Sequence, residues 1–315
     1  MFQYIVRRIL ISIPVLLGVT IICFLIINLA PGDPVDMMMD PNTPKEIQEA
    51  TREKLGLNQP IYIRYFQWLM NLKDGNFGYS YKTYQPVKDM IAQRILPTIQ
   101  LMGVSLLAGL MIALPLGVLS AVKQYSWIDY ISTTFSFLGI SVPSFFFGLL
   151  AIYIFSLKLG WLPSSGTMSL GSEKTLIDSI RHMALPVTVL SLSTAGQFIR
   201  YVRSSVLEVL GKDYLRTARA KGLSEAFVIG KHSFRNAVIP IITMLGLEIP
   251  GLFGGAIITE QLFSWPGIGQ LAVGAISGRD YPVLMAVNFI TAFLVLASGL
   301  LADVLYSVFD PRIKY

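Results

Sequence analysis

The chain has 315 residues, 53% of them hydrophobic and only 14% charged, against about a quarter charged in a soluble globular domain. That excludes water as its main solvent, and the net charge of +6 is informative only through where the charges sit. A single cysteine, Cys23, inside an apolar run excludes an intrachain disulfide, a redox pair and cysteine-based metal spacing.

The first apolar run, Ile9 to Ala30, follows Arg7 and Arg8 and has 22 residues, beyond the roughly 7 to 15 of a signal-peptide core. Asn28, Leu29 and Ala30 ahead of Pro31 make a poor cleavage context, so the run reads as a retained first span. Five further stretches, roughly 98 to 122, 130 to 157, 184 to 203, 237 to 260 and 283 to 308, carry the ~20 mostly apolar residues that a spanning helix needs. Six spans put both ends on one side. That side collects Arg7, Arg8, Lys123, Arg200, Arg203, Lys212, Arg216, Arg219, Lys221, Lys231, Arg235, Arg312 and Lys314, whereas the short loops opposite offer Lys158, Lys174, Arg181 and Arg279. The positive-inside rule then predicts both termini in the cytoplasm.

Between the first two spans, residues 31 to 97 form one long external insertion in which eight basic and eight acidic residues cancel. Its pattern predicts a small folded cap. Thr43 as N-cap, Pro44 at the first helical position and Glu46 completing a capping box start one helix, which Gly56 ends. A second helix begins at Pro60 and carries Ile61, Tyr65, Trp68, Leu69 and Leu72 at helical spacing, with Gly75 and Gly78 punctuating the chain beyond it. That apolar face either packs on the chain's own helices or meets an external protein.

Polar residues inside spans are costly unless partnered or facing a water-filled route. Thr133, Thr134, Ser136, Ser141 and Ser144 in the third span, and Ser191, Ser193, Thr194 and Gln197 in the fourth, fit two readings: lining for a polar path, or the hydroxyl and small-residue contacts that hold helices together. Pro143, Pro186 and Pro250 are positioned to kink spans. Glu248, mid-helix, either faces the path and attracts a cationic group or is a hydrogen-bonded structural residue, while Asp303 has the chance of a partner near the cytoplasmic end of the bundle. His182 and His232 lie at opposite membrane edges and share no metal or hydrolase site.

Leu210 to Pro240 is too long for a turn and reads as helix, turn, helix. Lys212 to Lys221 is rich in helix formers, Gly222 supplies the left-handed residue that ends a helix, and Ser224 caps the next, which carries Phe227, Val228 and Phe234. Its basic residues suit positive-inside topology and contact with anionic membrane lipid. Nucleic acid is disfavoured, because the flanking spans pin the element to the membrane surface.

Here the chain resembles a known family. Arg216, Thr217, Ala218, Arg219, Ala220, Lys221, Gly222 and Leu223, with Arg235, Asn236, Ala237 and Pro240 after them, resemble the cytoplasmic "EAA" loop of binding-protein-dependent ABC importer permeases. Arg216 stands at the glutamate position and Thr217 at the first alanine, and the Gly222 to Pro240 spacing is longer. These departures are similar to the oligopeptide and dipeptide branch. So are Tyr4 to Val35 with its Pro31, Gly32, Asp33, Pro34 close, the segment Glu260, Phe263, Ser264, Trp265, Pro266, Gly267, Ile268, Gly269 followed by Arg279, Asp280, Tyr281, Pro282, and the tail Asp310, Pro311, Arg312. The insertion after the first span resembles the B-type partner of the peptide permease pair. In Gly75, Asn76, Phe77, Gly78, asparagine stands where that branch usually has aspartate.

The resemblance implies an all-α, six-transmembrane-helix permease of the type I ABC importer kind. Residues 1–30 would be the N-terminus and first span, 31–97 the external insertion, and 98–315 a five-helix core with a coupling loop at about 210–236. It implies a homologous second permease subunit, two ATPase subunits and an extracellular or periplasmic substrate-binding protein, in a prokaryotic cell membrane. In such an importer the coupling loop fits a groove on the ATPase and acts as a lever on the fourth and fifth spans. This chain would bind no cofactor. ATP and Mg2+ belong to the ATPases, and no glycine-rich phosphate loop ending in Gly-Lys-Ser or Gly-Lys-Thr occurs here. Candidate residues for the translocation path are Glu248, Gln197, Ser193 and Ser141, with no catalytic or metal-binding set. Peptides are the implied cargo, with nickel, glutathione or another small solute as alternatives within the family. A transporter driven by ion gradients is the competing class; it calls for paired acids in the spans, for which only Glu248 and Asp303 are available, and no internal repeat is evident.

Overall fold

With no water to satisfy the backbone, an apolar run crosses a bilayer only as a helix or a closed barrel, and helices account for this chain. The computed structural model describes residues 2–29, 32–40, 42–169, 171, 175–254 and 256–309, except the side chains of some, including Lys231, His232, Phe234, Arg235 and Asn236. Pro31, Lys174 and the tail Asp310, Pro311, Arg312 lie outside the described residues.

A long helix α1 (Phe2–Leu29) leads into three short ones, α2 (Pro34–Met38), α3 (Lys45–Lys54) and α4 (Ile61–Lys73). Helix α5 (Val87–Val122) is followed by α6 (Trp127–Ser141) and α7 (Ser144–Ala151), the latter continued by a π-helical stretch, Ile152–Lys158. Then come α8 (Leu176–Leu210), α9 (Asp213–Ala220), α10 (Glu225–Phe227), a π-helical stretch Val228–Ser233, and α11 (Phe234–Glu248). The chain closes with α12 (Gly251–Gly254), α13 (Ile257–Leu262), α14 (Ile268–Ser277) and α15 (Tyr281–Phe309).

Among the described residues three helices are long and apolar enough to cross a membrane, Gln3–Leu29, Val87–Val122 and Tyr281–Asp303, and a fourth span exists if the α6–α7 pair counts as one. By length and hydropathy alone, the described residues account for up to four of the six expected spans. The expected third span bends by 100° between Ser141 and Ser144, because Pro143 lacks an amide hydrogen and drives Val142 into the extended region at ψ 123°. The expected fifth span, 237 to 260, divides into α11, α12 and α13, broken at Pro250 and again before Ile257. Helix α8 spans ~52 Å at 1.5 Å per residue, but its hydroxyls, Gln197 and arginines make it less apolar than the others. Helix α5 starts at Val87 rather than near Thr98, with Pro86 as its N-cap and Asp89 in its first turn.

In the insertion, the helix after Pro44 starts one residue later than the capping box predicts. Pro44, at φ −53° and ψ 136°, is itself the N-cap, and no side chain caps α3. Instead the Gln48 side-chain amide donates to the Thr43 carbonyl at 3.0 Å. Gly56 adopts φ +68° where α3 ends, and Pro60 is the N-cap of α4. The apolar face of α4 lies on the chain's own helices. Tyr65 packs edge-on to Phe24 of α1 at 5.3 Å and shares a hydrogen bond with Thr20 at 3.0 Å, while Trp68 meets Phe289 of α15 at 6.2 Å.

The centre of the molecule is a seam between α5 and α8. Gly109, Ala113 and Gly117 recur every fourth residue on α5 and are buried against α8. A Cβ on Gly109 would lie 3.1 Å from the Ser191 carbonyl oxygen, and one on Gly117 would lie 2.6 Å from the Val202 side chain. Helix α6 joins in the same manner: a Cβ on Gly139 would sit 2.6 Å from the Leu192 carbonyl oxygen, and the Ser136 hydroxyl donates to the Gly196 carbonyl. Small residues let helices approach closely where lipid provides no hydrophobic drive. Gly139→Val should thus cost about 1 to 3 kcal/mol through overpacking, whereas Gly103→Ala, with open space around it, should stay within about 0.5 kcal/mol. Thermal unfolding of the detergent-solubilised chain distinguishes the two, and equal melting points would refute the close approach.

Candidate functional site

The segment from 210 to 236 begins at the end of α8, and an ion pair from a half-buried arginine to a buried carboxylate lies just before it. Ser126 and Asp129 start α6, and Asp129 is only 4% exposed. Arg203 of α8 reaches it in a fork, Nε to Oδ1 at 2.8 Å and Nη2 to Oδ2 at 2.9 Å. The Ser120 hydroxyl of α5 donates to Oδ1, and the Tyr125 amide donates to Oδ2 at 2.9 Å. Tyr125 holds φ +62° in the turn between α5 and α6, which aims its amide at the carboxylate. One carboxylate therefore ties three helices, seven residues before α8 ends. Two-point geometry of this kind is particular to arginine.

Beyond it, Leu215 and Ala218 of α9 bury against Val228, Val209 and Leu210. Gly222 adopts φ +78° with nothing within 4 Å of a Cβ, so its need for glycine lies in the backbone. Ser224 is the N-cap of α10, although its side chain makes no capping bond. Across the turn Arg219 donates to both carboxylate oxygens of Glu225, at 2.8 and 3.1 Å. That hydrogen bonding holds the Glu225 carboxyl below its usual range and raises the Arg219 guanidinium further. Glu225 belongs to none of the sequence motifs; its spacing from Arg219 across a glycine turn is the signal that was there to find. Arg216, Thr217, Arg219, Ala220, Lys221, Gly222 and Leu223 are exposed, while Ala218 is turned inward. Tyr214 and Leu223 add exposed apolar surface, 43% and 39%. The result is a stapled helix–turn–helix with a basic and apolar outer face.

The four candidate path residues come from three helices, α6, α8 and α11. Ser193 and Gln197 share a face of α8, half-buried and exposed respectively, Ser141 is exposed at the α6–α7 break, and Glu248 is half-buried in the last turn of α11. Among the described residues no hydrogen bond or ion pair joins any two of them. Other hydroxyls of these spans bond within their own helices. Ser191 donates to the Thr188 carbonyl, Thr194 to that of Leu190, and Thr133 to Asp129. Asp303 pairs with Arg8 of α1 at 3.1 Å, and His182 contacts the Ser165 carbonyl at 3.0 Å.

A second buried acid, visible in the sequence only as part of a motif, organises the segment after α12. Glu260 is wholly buried; it accepts from the Thr98 hydroxyl at 2.9 Å and the Gln270 amide at 3.0 Å. Thr98 in turn accepts from the Ile268 amide at 2.8 Å, and the Trp265 indole donates to the Pro97 carbonyl at 2.9 Å. Glu260 so caps the start of α14 and fixes it to α5. Asp280 accepts from Ser80 and from the Tyr81 amide at 3.0 Å, joining this segment to the insertion.

Two family profiles match the chain: "Binding-protein-dependent transport system inner membrane component" over residues 113–315, and the N-terminal part of such components over residues 1–102. An oligopeptide transport system permease protein, AppB of Bacillus subtilis (strain 168), is 48% identical over 316 residues, covering all of both chains. A putative peptide permease protein of Brucella suis is 42% identical over all of this chain and 99% of its own. The glutathione transport system permease protein GsiC of Escherichia coli (strain K12) is 39% identical across all of both chains. Among solved structures, an inward-facing MetNI methionine ABC transporter superposes with a TM-score of 0.56 at 18% identity, over 70% of this chain and 96% of that one. At that identity the likeness concerns the fold alone.

Proposed function

The chain belongs to the binding-protein-dependent transport system inner membrane components, and from that premise we propose that it is the permease subunit through which an ATP-driven importer passes oligopeptides. The observation that carries the cargo is the 48% identity to an oligopeptide permease over the full length of both chains. It is a transport subunit of a multi-pass inner-membrane system. It works with a homologous second permease, two ATPase subunits that hold ATP and Mg2+, and an external binding protein, with both of its termini in the cytoplasm. The chain itself needs no cofactor.

Residues 216–223 and Glu225 are the coupling surface for an ATPase. Movement of that surface passes through α9 to α8, and through the Asp129–Arg203 pair to α5 and α6. Ser141, Ser193, Gln197 and Glu248 line the path once a second permease stands against this one; support comes from the exposure of Gln197 and Ser141 in the single chain.

The test is uptake of labelled di- and oligopeptides, with glutathione in parallel, in cells with and without the chain, with ATP and the proton gradient collapsed separately. The expected result is peptide uptake lost on deletion and on ATP depletion but kept under an uncoupler. Arg219→Glu should abolish uptake while the chain still accumulates in the membrane, and Glu248→Gln should slow uptake of peptides with a free amino terminus. Uptake of glutathione but not peptide would move the cargo to the GsiC-like member. Sensitivity to the uncoupler alone would overturn the ATP-driven reading, and normal uptake of every peptide by Glu248→Gln would remove Glu248 from the path.

A further inference from the structure

On the side of the molecule away from residues 210–236, a cavity of about 390 Å³ opens between the insertion, the last turn of α1 and the first turns of α15. Its place along two spanning helices is telling. Asn28 is one residue from the end of α1, and Tyr281 is the first residue of α15, so the cavity sits where a bilayer's headgroups meet water. Aromatic residues with polar tips gather at that level in membrane proteins, and Trp68, Tyr81 and Tyr281 are among the residues lining this cavity.

Its chemistry is one-sided. Lys54 and Arg64 line it, no carboxylate does among the described residues, and neither cation has an ion-pair partner there. Two acids close to it are committed elsewhere: Asp280 to Ser80 and the Tyr81 amide, Asp33 to Arg52 at 2.5 Å and the Val35 amide at 2.9 Å. Beside Phe24 and Asn28 on the same face of α1, Ile21 and Leu25 are exposed, at 43% and 40%.

We propose that this cavity is a binding site for the phosphate headgroup of an anionic phospholipid, with its acyl chains along Ile21 and Leu25 of α1. Arg64 and Lys54 take the phosphate. The volume lies within the range of ordinary ligand pockets. The lipid would brace the insertion against α1 and α15, the two spans on which α4 already rests.

The experiment is native mass spectrometry of the full-length chain in detergent after exchange into phosphatidylglycerol, phosphatidylcholine or inorganic phosphate. Wild type should retain phosphatidylglycerol in preference to phosphatidylcholine. The Lys54→Gln, Arg64→Gln double variant should lose roughly thirtyfold in retention, about fivefold for each cation removed. Lys45→Gln, an exposed cation on α3 that does not line the cavity, should retain as wild type does, which separates the site from general charge. Equal retention of the two lipids, or retention unchanged in the double variant, overturns the proposal. Displacement of phosphatidylglycerol by inorganic phosphate, with the same Arg64 dependence, overturns the lipid as the source of the phosphate.

Discussion

Arg203→Ala should lower the stability of the chain by about 3 to 5 kcal/mol, because it leaves a buried carboxylate without its counter-ion. Asp129 would keep only the Ser120 hydroxyl and the Tyr125 amide, with Thr133 at 3.4 Å, at a position that is 4% exposed. The double variant Asp129→Asn, Arg203→Gln should recover much of that loss, since a neutral hydrogen-bonded pair avoids the desolvated charge. Unfolding midpoints of the two single variants and the double variant give the coupling directly. Additive losses, with the double variant the least stable of the three, would show that the two side chains do not act as a pair.

The second large effect is at Glu260. Its removal in Glu260→Ala leaves the Thr98 hydroxyl and the amides of Gly269 and Gln270 without their acceptor in a dry site. At about 1 to 3 kcal/mol for each orphaned group, partly relieved by relaxation, a total near 4 kcal/mol is expected. The loss should be local in form, with the segment from Phe263 to Asp280 becoming open to limited proteolysis before the rest of the bundle melts. Glu260→Gln keeps one acceptor oxygen but turns a donor toward the Gln270 amide, so it should fall between wild type and Glu260→Ala. Proteolysis of that segment no faster than in wild type would refute the capping role.

What the sequence made legible was mostly local. Gly56 and Gly222 end helices because the left-handed conformation is cheap only for glycine, and Pro60 marks a helix start through its own fixed φ. The small stagger at Thr43 arises from the neighbouring proline, whose extended backbone delays α3 by one residue. For the third span the apolar run and the kink at Pro143 are legible, but the size of the bend, 100°, is not. Residues on both sides of Val142 and Pro143 are equally apolar, and hydropathy carries no information about direction. The hydroxyls of Ser136, Ser191 and Thr194 fit a polar path and helix packing equally well in the sequence; whether a hydroxyl faces a carbonyl or a cavity is decided by packing, which no single sequence states. Arg203 was visible only as one of many cations. Its partner Asp129 lies three residues after Ser126 and looks like half of a helix cap, so nothing local links it to an arginine in α8. The acid at 303 was easier, because a lone carboxylate in a span must find a partner, and Arg8 supplies it.

The seam between α5 and α8 restricts how the molecule can change shape. At Gly109, Gly117 and Gly139 one helix rests almost directly on its neighbour, with only the short β-branched side chains of Thr194 and Val202 or the bare Leu192 carbonyl between them, none long enough to take up a displacement. Sliding α8 along α5 by even a fraction of a residue would drive Val202 or the Ser191 carbonyl into the opposing backbone. The two helices, with α6 attached, must therefore travel together. Whatever opening and closing the bundle performs is left to its less tightly meshed joints: the bend at Pro143, the breaks around Pro250, and the boundary where α1 and α15 lie against the rest.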